Sequence, residues 1–316
     1  MCRCRQGLFR RSRGEIRQWH SRRSGQGSRA LNEGDFVAAL RALADHPAAR
    51  GLEDDAAAIE FGDETLVLTH DTLIEGIHVR VDEDPSDIAW KLVAVNLSDL
   101  AAKGAEPVGV LVSHMLGADD DRFVAGLREV LDVHGTPLLG GDTVRADGRR
   151  VWGCTAIGRA THTPVPDRRN ARVGEAIYVT GALGRAMLGM SERGSGDVND
   201  LAYRRPRPLL SEGRKLAPHV GAMMDVSDGL LLDSWRMART SGVSFALESE
   251  AIPVADTGRF DECIRWGDDY QLLFTAPASV DLPVPAARIG RVDEPGPCLS
   301  LDGRDFASED GLGYRH

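Results

Sequence analysis

The residues of this chain best suited to chemistry are aspartates, and they recur in short clusters. Met224-Asp225-Val226-Ser227-Asp228-Gly229-Leu230 places two carboxylates and a serine in an otherwise apolar run, a costly setting for ionised groups unless something offsets their charge. Val95-Asn96-Leu97-Ser98-Asp99-Leu100 echoes it, and further acids stand at Glu53-Asp54-Asp55, Thr69-His70-Asp71, Gly141-Asp142 and Gly267-Asp268-Asp269. All are hard oxygen donors, which suit Mg²⁺ held through a few carboxylates and substrate phosphates. The nine His residues show no zinc-type spacing, so zinc is not expected. Several Mg²⁺ ions held by acids from both halves of the chain would gather a nucleoside triphosphate. Phosphoryl transfer asks mainly for positioning and charge neutralisation, and an acceptor that is itself a phosphate requires no strong base.

The elements that must position these acids alternate between strands and helices. Asp35–Leu43 reads as a first helix. Ala56–Phe61, the turn Gly62-Asp63 and Glu64–His70 read as a β-hairpin with a two-residue loop. If Phe61 pairs with Glu64, Asp55 falls opposite His70 and Asp54 opposite Asp71. These acids are then either exposed at the open end of a hairpin or gathered about a cation. Pro85-Ser86 opens a helix that runs to about Lys103 and stops at Gly104. Its apolar stripe Ile88, Leu92, Val95 continues into Asp99, a carboxylate on the core-facing side; it is a metal ligand, or it pairs with Lys103 one turn on. A helix over Asp120–His134 leads to a strand at Pro137–Leu139 and the segment Gly140-Gly141-Asp142-Thr143. Ala146-Asp147-Gly148-Arg149 reads as a second hairpin turn, returning through Val151–Ile157.

After Thr161–Arg169, which has the composition of a linker, strands are expected at Ala176–Thr180, Val243–Leu247 and Gln271–Thr275. Gly181-Ala182-Leu183-Gly184 opens a helix whose N–H groups could face phosphate. Neither a P-loop nor a G-x-G-x-x-G fingerprint occurs. Ser227 is the expected N-cap of a helix from Asp228 to about Thr240. Asp225 and Asp228, close together around that helix start, either project toward one place or simply favour the helix dipole. Asp233, about one and a half turns on, reads as a helix-surface acid.

At 316 residues the chain can hold two domains, each with a core. The expected division is a basic, disordered extension over 1–30, an N-terminal domain over 31–163 and a C-terminal domain over 164–316, all of α/β class. No stretch approaches the roughly 18 consecutive apolar residues of a membrane span. The net charge is -10, yet nine Arg and one acid give residues 1–30 a charge of +8, which leaves -18 for 31–316. An acidic body argues against nucleic-acid partners and needs cations between itself and anionic substrates. The extension lacks the apolar core of a secretory signal. The five cysteines form no C-x-x-C pair, so the expected setting is the reducing cytoplasm.

Taken together, several of these stretches resemble the thiamine-monophosphate kinase family. They are Asp54-Asp55-Ala56-Ala57, Thr69-His70-Asp71 followed by Glu75-Gly76-Ile77-His78, Ala94 to Ala102, Gly140-Gly141-Asp142-Thr143, Tyr178-Val179-Thr180-Gly181, Asp225 to Leu230 and Gly267-Asp268-Asp269-Tyr270. The motifs follow the family's order over residues 33–316. The resemblance implies ATP-dependent phosphorylation of thiamine monophosphate to thiamine diphosphate. It also implies a two-domain α/β fold shared with aminoimidazole ribonucleotide synthetase, and a homodimer joined through a mixed N-terminal sheet. Matched motif by motif, Asp55, Thr69, Asp71, Asp99, Asp142, Asp225 and Asp228 would hold Mg²⁺, with Asp142, Asp225 and Asp228 as the catalytic acids. Gly141, Arg168 and Ser227 would contact ATP, and His78 and Asp268 thiamine monophosphate.

The chain departs from the family at Glu53 (usually Gly), His70 (often Thr or Ser) and Asp268 (usually Glu). The family's C-terminal tryptophan is missing, with Gly311 its nearest counterpart. Two alternatives differ in class. One is a related synthetase acting on another acceptor; a selenophosphate synthetase would want a reactive Cys near a Gly-rich N-terminus, a context that Cys2 and Cys4 lack. The other is a nucleotide-binding protein without catalysis, which would tolerate losing some of the acids retained here.

Overall fold

A computed structural model describes residues 33–191 and 194–315; the basic stretch 1–30 with Cys2 and Cys4 lies outside the described residues. The chain falls into two units, Met1–Leu43 and Ala44–His316. In the first, α1 (Glu33–Arg41) is an amphipathic helix with no buried residue. The second unit carries the remaining elements. Among the described residues no helix is long and apolar enough to cross a membrane.

The second unit opens with a five-stranded mixed sheet built from β1 (Ala57–Phe61), β2 (Glu64–Ile74), β3 (Ala105–Met115), β4 (Leu138–Val144) and β5 (Val151–Ala160), in the order β1-β2-β5-β3-β4. The β1–β2 hairpin has the expected register, Phe61↔Glu64 through Ala57↔Leu68, with Gly62 at φ 64° in the turn. The ladder stops there, so Asp54 and Asp55 leave the sheet as a loop. The second expected hairpin does not form. β4 pairs parallel with β3, while β5 inserts antiparallel between β2 and β3. A turn sequence reports only that the chain reverses; the partner of β5 is chosen by what its apolar face can bury.

Period-2 alternation divides β2. Val67, Thr69 and Leu73 are buried on the inner face, while His70 and Thr72 are exposed on the other. The inner face is covered by α2 (Pro85–Ala102), capped by Asp84, and α3 (Asp120–His134). On the opposite face and edge Val108, Leu111, Leu139 and Val151 remain exposed.

The second sheet has seven strands, β6 (Glu175–Val179), β7 (Met223–Asp225), β8 (Ser244–Leu247), β9 (Leu272–Pro277), β10 (Ala287–Asp293), β11 (Leu299–Leu301) and β12 (Arg304–Phe306), in the order β12-β11-β8-β10-β6-β9-β7. All its pairings are antiparallel except β11–β8. The helices α4 (Arg185–Ser191), α5 (Val198–Arg204), α6 (Leu210–Leu216), α7 (Leu230–Ser241) and α8 (Phe260–Cys263) accompany it. Central strands are buried on both faces, so they read as continuous apolar runs. Tyr178, Met223, Leu272 and Phe274 join the core shared with the first sheet, while Ile177, Val179, Met224 and Leu273 join a second core with α7.

Helix α2 lies between the sheets, packing on β2, β3 and β5 and also on β7 and α6. It is therefore buried around its whole circumference rather than along one stripe. Leu92, Val93, Leu97 and Leu100 have no exposure, and each such side chain stabilises the fold by roughly 1.5–3 kcal/mol. α6 approaches so closely that a Cβ on Gly213 would lie 1.9 Å from the Ala101 carbonyl oxygen. The polar residues of α2, namely Asp87, Lys91, Asn96, Ser98 and Asp99, are consequently buried as well.

Helix α7 begins at Leu230 after Gly229 (φ 111°), not at Asp228, and Ser227 does not cap it. No side chain caps it; instead a residue of its first turn holds the segment that precedes it. Asp233, fully buried and not a surface acid, accepts from the N–H groups of Ser227 and Asp228, both at 3.1 Å.

Candidate active site

Three carboxylates meet where the sheets face each other across α2. Asp55 comes from the loop before β1, Asp99 from the last turns of α2 and Asp225 from the end of β7. One oxygen of each lies within 4.8 Å of the others. Asp99 and Asp225 are 7% and 2% exposed, so this is an almost dry cluster of like charges. Thr69 adds its hydroxyl from the inner face of β2, donating to Asp99 and, at 3.3 Å, to the Asp55 carbonyl oxygen. Asp71, two residues on, donates its N–H to Asn96 Oδ1 at 3.1 Å and acts electrostatically on Asp99 and Asp225. Ser98 donates to Asp225.

The electrostatics follow from burial. Desolvation raises the Asp99 carboxyl well above the usual range, and the charges of Asp71, Asp225 and Asp55 push the same way against the Thr69 hydroxyl. Desolvation and then the Asp55 charge lift Asp225 to about 7, against the Ser98 hydrogen bond. Such a cluster holds either protons or a cation. Asp55 Oδ2 is buried and has no hydrogen-bond partner. An all-oxygen donor set with an unsatisfied buried oxygen fits a hard divalent ion.

Of the two readings of Asp99, the pairing with Lys103 does not occur. Lys103 pairs instead with Asp54 at 2.5 Å, both side chains having no exposure, and it also donates to the Met223 carbonyl at 3.3 Å. Asp54 and Asp55 are thus separated by role. Asp54 is neutralised by Lys103 and Arg50, whereas Asp55 turns to the cluster and to the buried Arg168 guanidinium.

Asp142 lies outside the three-carboxylate group, exposed on the edge strand β4, where its Oδ1 accepts from the Thr143 N–H at 2.9 Å. Gly141 (φ 155°) packs so tightly that a Cβ would lie 1.9 Å from the Val112 carbonyl oxygen. Asp228 is also outside the group and pairs with Arg236 of α7. The Ser227 carbonyl accepts from the Asp268 N–H at 2.7 Å. His78 accepts through Nδ1 from the Ile74 N–H at 3.0 Å. Asp268 pairs with Lys91 and accepts from the Tyr270 hydroxyl at 2.7 Å.

One further expectation is revised. The Gly184 N–H at the start of α4 is taken by Asp269, at 2.9 and 3.0 Å, so that turn does not face phosphate. In the C-terminal tail, the backbone of Tyr314 reaches the Asp228 segment. The Tyr314 N–H donates to the Asp228 carbonyl at 2.9 Å, and Gly311 only accepts from Arg265.

Sequence reasoning assigned no role to Ser98, Asn96, Lys91 or Arg236. The available signal was the isolated polar residues Lys91, Asn96 and Ser98 in an otherwise apolar helix. A single apolar stripe assigns such residues to a wet face, and that face does not exist here.

The chain matches the family described as AIR synthase related protein, N-terminal domain, over residues 53–160, and its C-terminal domain counterpart over residues 172–296. It is 32% identical to the thiamine-monophosphate kinase of Escherichia coli over 302 residues, covering 84% of this chain and 91% of that protein. Its fold is similar to that of AaThiL complexed with AMPPCP and TMP (TM-score 0.83, 25% identity, 92% of this chain and 100% of that one). It is also similar to the thiamine-monophosphate kinase of Stenotrophomonas maltophilia (TM-score 0.71, 32% identity, 86% and 96%).

Proposed function

Because the chain belongs to the thiamine-monophosphate kinase family of AIR synthase related proteins, we propose that it transfers the γ-phosphoryl group of ATP to thiamine monophosphate. An oxygen of the acceptor's phosphate forms the new bond to the γ-phosphorus. The bond from that phosphorus to the bridging oxygen breaks, and its electron pair leaves with ADP. The acceptor phosphate has a second pKa of roughly 6, so it is already a nucleophile at neutral pH, in keeping with a site rich in Asp.

The observation that carries this reading is the meeting of Asp55, Asp99 and Asp225 from both sheets. The residues that would hold Mg²⁺ are Asp55, Thr69, Asp71, Asp99 and Asp225, joined by Asp142 and Asp228 at the nucleotide side. Bound Mg²⁺ supplies neutralisation of the phosphates and of the charge that develops on them. Asp142, Asp225 and Asp228 are the catalytic acids. Gly141, Arg168 and Ser227 bind ATP, and His78 and Asp268 bind thiamine monophosphate.

The same reading divides the chain into an extension over 1–30, an N-terminal domain over 31–163 and a C-terminal domain over 164–316. It places the enzyme in the cytoplasm, in keeping with free thiols at Cys154, Cys263 and Cys298. It also makes the enzyme a homodimer through the first sheet, whose outer face leaves Leu111, Leu139 and Val151 exposed. The test is to incubate purified protein with ATP, Mg²⁺ and thiamine monophosphate and separate the products. Thiamine diphosphate formed in step with ADP is the expected result; none from well-folded protein defeats the proposal.

A further inference from the structure

Lys91 is a buried cation with no part in the metal cluster. It sits in α2, 2% exposed, and its ammonium makes three contacts with three different parts of the chain. It pairs with Asp268 in the loop before β9 and donates to the His78 carbonyl at 3.3 Å. It also lies 4.4 Å from the centre of the Tyr203 ring of α5. The Asp268 carboxylate is engaged on both sides, with Lys91 on Oδ2 and the Tyr270 hydroxyl on Oδ1 at 2.7 Å.

The loop that carries Asp268 is itself tightly constrained. Gly267, Asp268 and Tyr270 all have positive φ, at 86°, 62° and 53°, an uncommon state for the two non-glycine residues. It is pinned to the Asp225–Asp228 segment by Asp268 N–H to the Ser227 carbonyl (2.7 Å) and Tyr270 N–H to the Val226 carbonyl (2.9 Å). A Cβ on Gly267 would lie 2.3 Å from the Ser227 carbonyl oxygen. Backbone bonds therefore fix where the loop sits. The direction of the Asp268 side chain is set by Lys91 and Tyr270.

We propose that Lys91 is a positioning residue of the acceptor subsite, holding the Asp268 carboxylate and the His78 turn together from helix α2. This rests on the reading that His78 and Asp268 face thiamine monophosphate. Lys91 neutralises the Asp268 charge, which would otherwise stand uncompensated near a doubly charged phosphate. It also joins the first sheet's helix to the second sheet's loop on the acceptor side, while the nucleotide side is left untouched.

The test is steady-state kinetics on full-length wild type, Lys91→Met, Asp268→Asn and the double variant, with folding checked by thermal unfolding. Lys91→Gln, which keeps a donor, covers the case in which Lys91→Met does not fold. Removing one member of a buried charge pair should raise KM for thiamine monophosphate roughly thirtyfold or more, with KM for ATP changed less than about twofold. The double variant should be little worse than either single change, because the two residues act as one unit. An unchanged KM for thiamine monophosphate in a folded Lys91 variant, equal rises in both KM values, or additive effects would each overturn the assignment. A wild type that makes no diphosphate overturns the kinase reading itself, whereas an active wild type with indifferent Lys91 variants overturns only this one.

Discussion

Replacing Asp54 by Ala tests how the site is anchored. Asp54 and Lys103 form an ion pair at 2.5 Å with both side chains wholly inaccessible, and Arg50 reaches the same carboxylate from a side chain 10% exposed. Without Asp54 the Lys103 ammonium is left with the Met223 carbonyl at 3.3 Å. Breaking a buried pair on one side costs about 3–5 kcal/mol, because the remaining charge is desolvated and uncompensated. Lys103 ties the end of α2 to β7 two residues before Asp225, so turnover should fall along with stability. The assay is urea unfolding at neutral pH, read as a shift of midpoint at constant m. Adding Lys103→Met to Asp54→Ala removes the stranded charge, so the double variant should be more stable than Asp54→Ala alone.

Acid should expose the same pair. Burial alone would raise the Asp54 carboxyl, but Lys103, Arg168 and Arg50 overcome it and hold it below the usual range. Its contribution is therefore present above the unfolded pKa of roughly 3.9 and is lost as pH falls through the lower folded value. Asp54→Ala should flatten that acid limb. A loss within the 0–1 kcal/mol typical of a surface pair, or a double variant as unstable as the sum of the singles, would refute the reasoning.

Asp225→Asn should lower turnover by at least roughly a hundredfold while leaving the unfolding temperature unchanged or higher, since it removes one of several crowded charges; full activity would remove Asp225 from the metal set. The cluster also gives a pH signature. With Asp99 raised and Asp225 lifted to about 7, the folded state keeps protons that the unfolded chain has already released. In chelator, stability should therefore fall as pH rises from about 4 through 7, and Mg²⁺ should reverse the fall most strongly at the alkaline end. A flat profile by thermal unfolding counts against a cation site. Asp233→Leu strips the acceptor from the N–H groups of the exposed Ser227 and half-buried Asp228, at about 0.5–1.5 kcal/mol for each hydrogen bond lost. It should also raise KM for ATP through Ser227 and Asp228, with Asp233→Asn milder on both readouts.

Much of this protein is legible without a structure wherever local chemistry decides. The β1–β2 register follows from a run rich in Leu, Val and Thr and a two-residue Gly-Asp turn. Helix α3 runs over Asp120–His134 as its periodicity indicates, and α2 is bounded by Pro85 and Gly104 as expected of their backbone preferences. The clustering of carboxylates was equally plain, because acids set in apolar runs must find a counter-charge or hydrogen-bond donors wherever the fold buries them.

Partner choice was not legible. Ser98 and Asp225 are 127 residues apart and meet only because α2 is clasped between two sheets. The same burial turned Lys103 from Asp99 to Asp54, took Lys91 to Asp268, and drew Asp233 inward to hold the Ser227–Asp228 backbone. The strand order, with β5 between β2 and β3, likewise answers to a core shared by residues far apart in the chain. Residue types and spacing determined that this chain carries several clusters of hard oxygen donors. Only the packing of α2 on both its faces decided which charges are neutralised in pairs and which meet as a cluster of carboxylates, because a buried charge takes whichever counter-charge the folded backbone brings within reach.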